Sequence, residues 1–343
     1  MRFQANILLY PFSFLVKLAY QTRRYLYENN SFASSYFHVP VISVGNIEMG
    51  GTGKTPMTAF IANHLEQQGK KVAIVTRGYK GKKKDVCLER SNLDQYKPEE
   101  VGDEPFMLSK FMTSSPILVG KNRVKNIIKH IFLHQHATFI LEDGFQHLKV
   151  QRSIDVVLIN GGKDLSTQNP FPAGLLREGK TSLSRADIIV LTKCHGEKPT
   201  ELEQKNIAEI KKYVLKDTPI LRSGIKFQDL YDLKKEETLP LGEIPQSVVT
   251  LCGIGDPKGF KLTLEKIGLK VEKIQEFKNH YSFNESSYKK INKMAKGRPI
   301  VCTLKDAVKI NPEKIKSKIF AINTEVDFFG HEKEFINFIS QRI

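Results

Sequence analysis

Gly45-Asn46-Ile47-Glu48-Met49-Gly50-Gly51-Thr52-Gly53-Lys54-Thr55 decides how this chain folds. Val39-Pro40-Val41-Ile42-Ser43-Val44 runs into it as an apolar, β-rich segment. Met57, Phe60, Ile61, His64 and Leu65 follow it at helical spacing. Strand, glycine-rich loop and helix in that order are the context of a phosphate-binding loop. Glycine lets the backbone curl until its N–H groups point inward at a phosphate, and the new helix adds the positive end of its dipole. On this reading Gly50, Gly51, Thr52, Gly53, Lys54 and Thr55 bind a nucleotide. Lys54 reaches the β- and γ-phosphates, and the Thr55 hydroxyl holds Mg²⁺.

Two departures from the usual loop pattern stand out. The pattern asks for glycine where this chain has Glu48. The doubled Gly50-Gly51 is similar to the loops of partitioning ATPases, but Met49 stands where those carry a lysine. A glycine-rich turn with a coincidental Lys-Thr is the competing reading, and the flanking strand and helix weigh against it. Thr192-Lys193, after the apolar run Ile188–Leu191, falls where base contacts often lie. It is not the Asn-Lys-x-Asp of guanine binders, so the expected nucleotide is ATP.

The chain has 343 residues, enough for about two domains. Lys and Arg number 53 against 37 Asp and Glu, a net +16 that favours an anionic partner: phosphate, nucleic acid or an anionic membrane. Cys87, Cys194, Cys252 and Cys302 are far apart and form no C-x-x-C, so they read as reduced thiols and not as disulfides or a zinc site.

Residues 1–38 hold an amphipathic helix beginning at Pro11. Phe12, Leu15, Val16, Ala19, Tyr20, Leu26 and Tyr27 share one face, and Ser13, Lys17, Gln21, Arg24 and Glu28 the other. The apolar run is too short to span a bilayer. Lying in a membrane interface and packing on the core both fit the pattern. Residues 39–225 alternate strands (Val72–Thr76, Ile117–Val119, Thr138–Leu141, Val156–Ile159, Ile188–Thr192) with helices near Phe106–Met112 and Arg123–Leu133. This predicts an α/β fold of the P-loop NTPase type, a parallel sheet with helices on both faces. Residues 226–246, polar and containing Pro240 and Pro245, read as a linker. Residues 247–343 read as a smaller α/β domain with strands at Ser247–Leu251, Val271–Glu276 and Ile300–Thr303.

Ligands of such sheets sit at the carboxyl ends of strands, where the informative polar residues lie. Glu142-Asp143-Gly144 ends an apolar strand, and Asp143 is the expected second Mg²⁺ contact. Asp103 or Glu104, opening a helix, either caps it or accepts the proton of an attacking hydroxyl. Arg77 stands at a strand end where it could meet a phosphate. Arg177 and Glu178 follow a Pro-Ala-Gly turn and could face a substrate or form a solvated ion pair. His280 lies in Phe277–Phe283 after a strand. Lys305 or Asp306 could approach the site or begin a helix.

Together these segments resemble the tetraacyldisaccharide 4′-kinase family, which phosphorylates a lipid A precursor. The resemblance rests on Val44-Gly45-Asn46 leading to Gly50–Pro56, Thr76-Arg77-Gly78-Tyr79, Val101–Pro105, Glu142–His147, Pro172–Glu178, Phe277–Phe283 and Thr303–Lys309. It implies transfer of the ATP γ-phosphoryl group to the 4′-hydroxyl of a disaccharide 1-phosphate. It also implies Mg²⁺ and work at the cytoplasmic face of the inner membrane on an anionic lipid, with no nucleic acid and no evident protein partner. By position, Asp103 corresponds to the family's catalytic carboxylate and His280 to the histidine that supports it. The chain departs from the family at Glu142 and at Asn279, where the family usually has aspartate. Two rivals from other classes remain: a metal or cofactor chaperone that hydrolyses nucleotide, which no Cys/His cluster supports, and a basic nucleic-acid binder, which has no need of Lys54, Thr55 and Asp143 together.

Overall fold

The computed structural model describes residues 7–133, 138–243, 246–254, 257–278 and 281–343. Eight strands form the first sheet: β1 (Val41–Asn46), β2 (Val72–Thr76), β3 (Val86–Leu88), β4 (Ile117–Val119), β5 (Thr138–Glu142), β6 (Ile154–Asn160), β7 (Ile188–Thr192) and β8 (Ile220–Arg222). Their order is β3-β4-β2-β5-β1-β6-β7-β8, and every neighbouring pair is parallel except β3 with β4. The helices of this part are α1 (Tyr10–Glu28), α2 (Lys54–Gln67), α3 (Pro98–Val101), α4 (Asp103–Met107), α5 (Arg123–Leu133) and α6 (Glu201–Ile210).

A parallel sheet covered on both faces needs strands that are apolar throughout, and β1, β2, β5, β6 and β7 are buried along their whole lengths. Side chains alternate between two cores. Ile42, Val44, Ile140 and Val156 pack with Met57, Phe60, Ile61 and Leu65 of α2. Val157, Ile159, Ile189 and Leu191 pack with Phe145 and Leu183 on the other face. Because β1 lies between β5 and β6, the loop leaving it emerges at the middle of the sheet's carboxyl edge. Gly45 is required there: a Cβ at that position would stand 2.5 Å from the Cβ of Phe145.

The second sheet contains β9 (Gly224–Asp232), β10 (Glu237–Leu239), β11 (Ser247–Cys252), β12 (Lys270–Glu276), β13 (Ile300–Thr303) and β14 (Ile319–Asp327), in the order β10-β9-β14-β13-β11-β12. With it go α7 (Pro257–Lys266), α8 (Glu285–Ala295) and α9 (Leu304–Ala307), and α10 (Glu332–Ser340) follows β14. The linker expected at residues 226–246 is a strand hairpin instead. β9 pairs antiparallel with the whole of β14 and then with β10. Its charged residues misled the reading because one face of this ribbon is open to solvent, so Lys226, Gln228 and Asp229 sit in a strand without being buried. Pro240 follows the last residue of β10 and so interrupts no ladder.

The chain then returns to the first sheet. Phe328 stacks on Phe335 of α10 with ring centroids 4.6 Å apart, and both meet Phe60 of α2. The residues from Phe328 onward therefore belong to the core under β1, not to the second sheet. Phe335→Ala is expected to lower global stability by about 3–5 kcal/mol, read as a shift of the urea midpoint. A change of less than ~1 kcal/mol would show that α10 does not contribute to that core.

Candidate active site

The loop after β1 is built from within. Asn46 Nδ2 donates to the Glu48 carbonyl and to Thr52 Oγ1, both at 2.8 Å. Gly50 (φ 109°) and Gly53 (φ 84°) adopt conformations that favour glycine. Thr192, singled out as a base contact, instead has its hydroxyl 2.9 Å from the Thr52 carbonyl and 3.2 Å from that of Ile159. Glu48, standing where the usual loop has glycine, is buried and accepts from Asn160 N–H at 2.9 Å. Burial raises its carboxyl above the ordinary range, against the opposing pull of that hydrogen bond and of Lys163, Lys193 and Lys54. Its own backbone pairs with Leu176, and Met49 N–H donates to the Leu175 carbonyl while Arg177 N–H donates to that of Ile47. The Pro-Ala-Gly turn is thus stitched to the phosphate loop.

Beside the loop lie the two carboxylates that end β5. Glu142 is the last strand residue and is buried, whereas Asp143 has a left-handed φ of 54°. That turn sends the two side chains to different partners. Glu142 accepts from Thr76 Oγ1 at 2.8 Å and from Thr55 Oγ1 at 3.4 Å. Asp143 accepts twice from Arg177 Nη1, at 2.9 Å to each oxygen, and stands 3.5 Å from Lys54 Nζ. So the hydroxyl assigned to Mg²⁺ meets Glu142, while Asp143, the carboxylate favoured from sequence, meets the loop lysine and an arginine.

Electrostatics separate the pair further. Burial, then the charges of Glu104 and Asp143, raise the Glu142 carboxyl. Burial pushes Asp143 up too, but Lys54, Arg177 and Arg123 outweigh it and hold Asp143 below the ordinary range. Arg123 was not recognised from sequence. It is buried at the start of α5 and donates to the Asp143 carbonyl at 3.0 Å and the Glu142 carbonyl at 2.9 Å. Gln146, also missed as an individual residue, donates from Nε2 to the Asn46 carbonyl at 2.8 Å. Glu178 turns away from its neighbour Arg177 to Arg185 at 2.8 Å, in a nearly buried pair whose guanidinium lies over Phe145. Arg77 is exposed at the end of β2.

Asp103 and Glu104 do not cap α4. The cap residue is Gly102, at φ 104°, with no side-chain bond, and the two carboxylates stand in the first turn. There they meet the second unit: Lys305 Nζ is 3.1 Å from Glu104 and Lys309 Nζ 4.0 Å from Asp103. Asp306 is wholly buried and accepts from Gly253 N–H and Thr303 Oγ1, so it is a structural clamp, whereas Lys305, like Lys309, faces α4. His280 and Asn279 lie outside the described residues. On either side of them Phe277, Tyr281 and Phe283 form one aromatic cluster, with centroids 4.8–5.4 Å apart.

The residues present suit a magnesium ion. Thr55, Glu142 and Asp143 offer hard oxygen donors, and a buried carboxylate raised by two acidic neighbours is a place where a cation relieves repulsion. Among the described residues no three His, Cys, Asp or Glu converge as a closed metal cage. Mg²⁺ bound through one or two protein groups and nucleotide phosphates needs none.

The inward side of α1 is mixed: Ser13 is buried, Val16, Lys17, Tyr20, Arg23, Arg24, Leu26 and Tyr27 are half-buried, and Gln21 and Glu28 of the polar stripe are exposed. Ser13 Oγ donates to the Pro170 carbonyl at 2.9 Å and accepts from Ala173 N–H, Arg23 Nη1 donates to the Gln146 carbonyl, and Arg24 donates to Thr181 and Ser184. Phe12, Phe14, Leu15, Leu18 and Tyr25 face solvent. No helix among the described residues is long and apolar enough to cross a membrane.

Comparison with known proteins agrees in one direction. A family model described as tetraacyldisaccharide-1-P 4′-kinase matches residues 5–343. A tetraacyldisaccharide 4′-kinase of Desulfotalea psychrophila is 34% identical over 308 residues, covering 88% of this chain and 87% of its own. One from Chlorobaculum parvum is 34% identical over 323 residues, covering 90% and 86%. The crystal structure of the "apo" form of LpxK from Aquifex aeolicus, in complex with ATP, is similar to this fold with a TM-score of 0.76 at 29% identity, covering 97% of this chain and 98% of that one.

The raised Glu142 carboxyl has a consequence for stability. A carboxyl whose folded pKa lies above its ordinary value of 4.5 holds its proton more tightly in the native state, so its contribution to stability falls as pH rises through 4.5 to the folded value. Without nucleotide or metal, Glu142→Gln is expected to unfold at higher urea than the parent at neutral pH and to converge with it below about pH 4. Equilibrium unfolding curves at both pH values check this; a less stable variant at neutral pH would contradict it.

Proposed function

The chain belongs to the tetraacyldisaccharide-1-P 4′-kinase family, and from that premise we propose how its own residues carry the reaction. The protein is an ATP-dependent kinase that phosphorylates a lipid A precursor at the 4′-hydroxyl. The observation that supports the following division of roles is the meeting of Lys54, Thr55, Glu142 and Asp143 at the loop after β1, with Asp103 and Glu104 facing the second unit.

Phosphoryl transfer asks mainly for positioning and charge stabilisation. The N–H groups of Gly50 to Lys54 and the Lys54 ammonium hold the β- and γ-phosphates of ATP. Thr55, with Glu142 and Asp143, would hold Mg²⁺, which would neutralise charge on the phosphate oxygens when bound. Arg177 and Arg123 keep Asp143 ionised and in place. Asp103 accepts the 4′-hydroxyl proton as the new O–P bond forms and the bond from Pγ to the ADP oxygen breaks. His280 supports Asp103 from the second unit, and Arg77 and Glu104 line the approach of the acceptor.

The acceptor is an anionic lipid held in a membrane, and α1 supplies the means of reaching it. Its outward aromatic and aliphatic side chains enter the interface at the cytoplasmic face of the inner membrane, while Ser13, Arg23 and Arg24 stay bonded to the protein. The surplus of basic residues adds attraction to anionic headgroups.

Transfer of labelled γ-phosphate from ATP to tetraacyldisaccharide 1-phosphate in mixed micelles tests the reading directly. Label should appear in the lipid and vanish with Lys54→Ala; ATP hydrolysis without lipid labelling would point to the chaperone class. Asp103→Ala and His280→Ala should each lower turnover by roughly 10²–10⁴-fold. Full turnover in both folded variants would remove the proton-acceptor assignment. Replacing Phe12, Leu15 and Leu18 with serine should weaken sedimentation with anionic vesicles by roughly tenfold or more, given on the order of 2 kcal/mol per apolar side chain buried. ATP affinity should stay unchanged, and equal sedimentation of variant and parent would exclude α1 as the anchor.

A further inference from the structure

Two consecutive carboxylates open α4, and two lysines one helical turn apart in the second unit meet them one to one. The two pairs differ in character. Lys305 and Glu104 are 3.1 Å apart, with 19% and 34% of their side chains exposed, a contact that water screens. Lys309 is only 5% exposed and Asp103 13%. A nearly buried ammonium group needs fixed partners, and Lys309 has one on its own unit: Asp306 Oδ1 at 3.2 Å. Asp306 is itself immobilised, accepting from Gly253 N–H at 2.9 Å and from Thr303 Oγ1 at 2.8 Å. The Phe283 ring lies 6.0 Å from the Lys309 nitrogen and flanks it. The second unit therefore holds one cation rigidly, and the group it is aimed at is Asp103 Oδ2, 4.0 Å away on the first unit.

We infer that Lys309 is a positioning residue for phosphoryl transfer: it orients the Asp103 carboxylate across the boundary between the two units, so that Asp103 is aligned when they stand against one another. The inference rests on the reading of Asp103 as the proton acceptor. Lys309 takes no proton and touches no phosphate in this role. It fixes one carboxylate oxygen, and the Gly253–Thr303–Asp306 clamp sets where Lys309 itself stands. An acceptor displaced by even an ångström can cost roughly 10²-fold in rate, which is the scale of effect to expect.

The test is a double-mutant cycle on the full chain, measuring kcat and the KM values for ATP and lipid acceptor in mixed micelles, with thermal unfolding as the check on folding. Lys309→Met should lower kcat by roughly 10- to 100-fold with KM for ATP nearly unchanged. Lys309→Arg, which keeps the charge, should recover much of the loss. In the Asp103→Ala background Lys309→Met should have no further effect, because the group it orients is gone. Losses that multiply in the double variant, or full kcat in Lys309→Met, would overturn the inference while leaving Asp103 as acceptor. Full turnover in Asp103→Ala alone would instead remove the acceptor reading, and this inference with it. A purely structural role for Lys309 would appear as multiplying losses accompanied by a lowered unfolding temperature.

Discussion

A single left-handed residue at the end of β5 sets the geometry of the whole site. Asp143, at φ 54°, ends the strand at Glu142 before the next side chain can alternate to the opposite face, so two adjacent carboxylates stay near the loop with different partners. Glu142 stays in the strand and buries against Thr55 and Thr76; Asp143 turns to Lys54 and Arg177. A non-glycine residue in this region carries a conformational cost, and Arg123 offsets it by binding both carbonyls of the turn. In a continued strand adjacent side chains point to opposite faces of the sheet, whereas this turn keeps both carboxylates beside the phosphate loop, Glu142 at Thr55 and Asp143 at Lys54. With it, one is held ionised by three cations and the other is left raised beside the threonine that a divalent ion would share. Gly45 belongs to the same constraint, since only a glycine in β1 lets Phe145, two residues past the turn, pack against the strand.

The sequence disclosed the parts whose chemistry is contiguous. Strand, loop and helix at Val41–Gln67 are legible because a phosphate loop must be made from consecutive residues, and the buried strands because a parallel sheet covered on both faces needs unbroken apolar runs. What was illegible is what depends on a distant partner. Arg123 begins a helix like any other arginine; its importance lies in two carbonyls about twenty residues further along. The choice between Glu142 and Asp143 needed the φ of residue 143. β9 and β10 read as a linker because one face of their ribbon is wet and charged, and β14 passed unnoticed because its apolar half, Ile319–Ile322, gives way to the polar Asn323-Thr324-Glu325 that pairs with that ribbon.

Helix α1 shows the same limit from the other side. Its two faces are plain in the sequence, but the pattern does not say which one meets the protein. In an ordinary surface helix the apolar stripe turns inward. Here Ser13, Arg23 and Arg24 make the inward contacts, while Phe12, Phe14, Leu15 and Leu18 face out. Directed hydrogen bonds with Pro170, Ala173, Gln146 and Thr181 hold the helix, along with the half-buried Val16, Tyr20, Leu26 and Tyr27. Those anchor points are the turn stitched to the phosphate loop and the segment after the β5 carboxylates, so the outward apolar face is fixed relative to the site and not merely tethered near it.

The second unit meets the first through both apolar packing and charge: Met107 of α4 lies in one core with Leu233, Leu251 and Tyr288, Phe111 meets Tyr231 with ring centroids 5.0 Å apart, and Lys305 and Lys309 face Glu104 and Asp103. The apolar part resists separation, because water would have to cover it again. Ion pairs such as Lys305 with Glu104 exchange protein partners for water at little net cost. The ribbon of β9 and β14 and the return of Phe328 and Phe335 to the core under β1 keep the units joined through rigid elements. Lys309, 4.0 Å from Asp103, is itself held by Asp306 of its own unit at 3.2 Å, so the second unit bears on the first turn of α4 through a group that its own fold fixes.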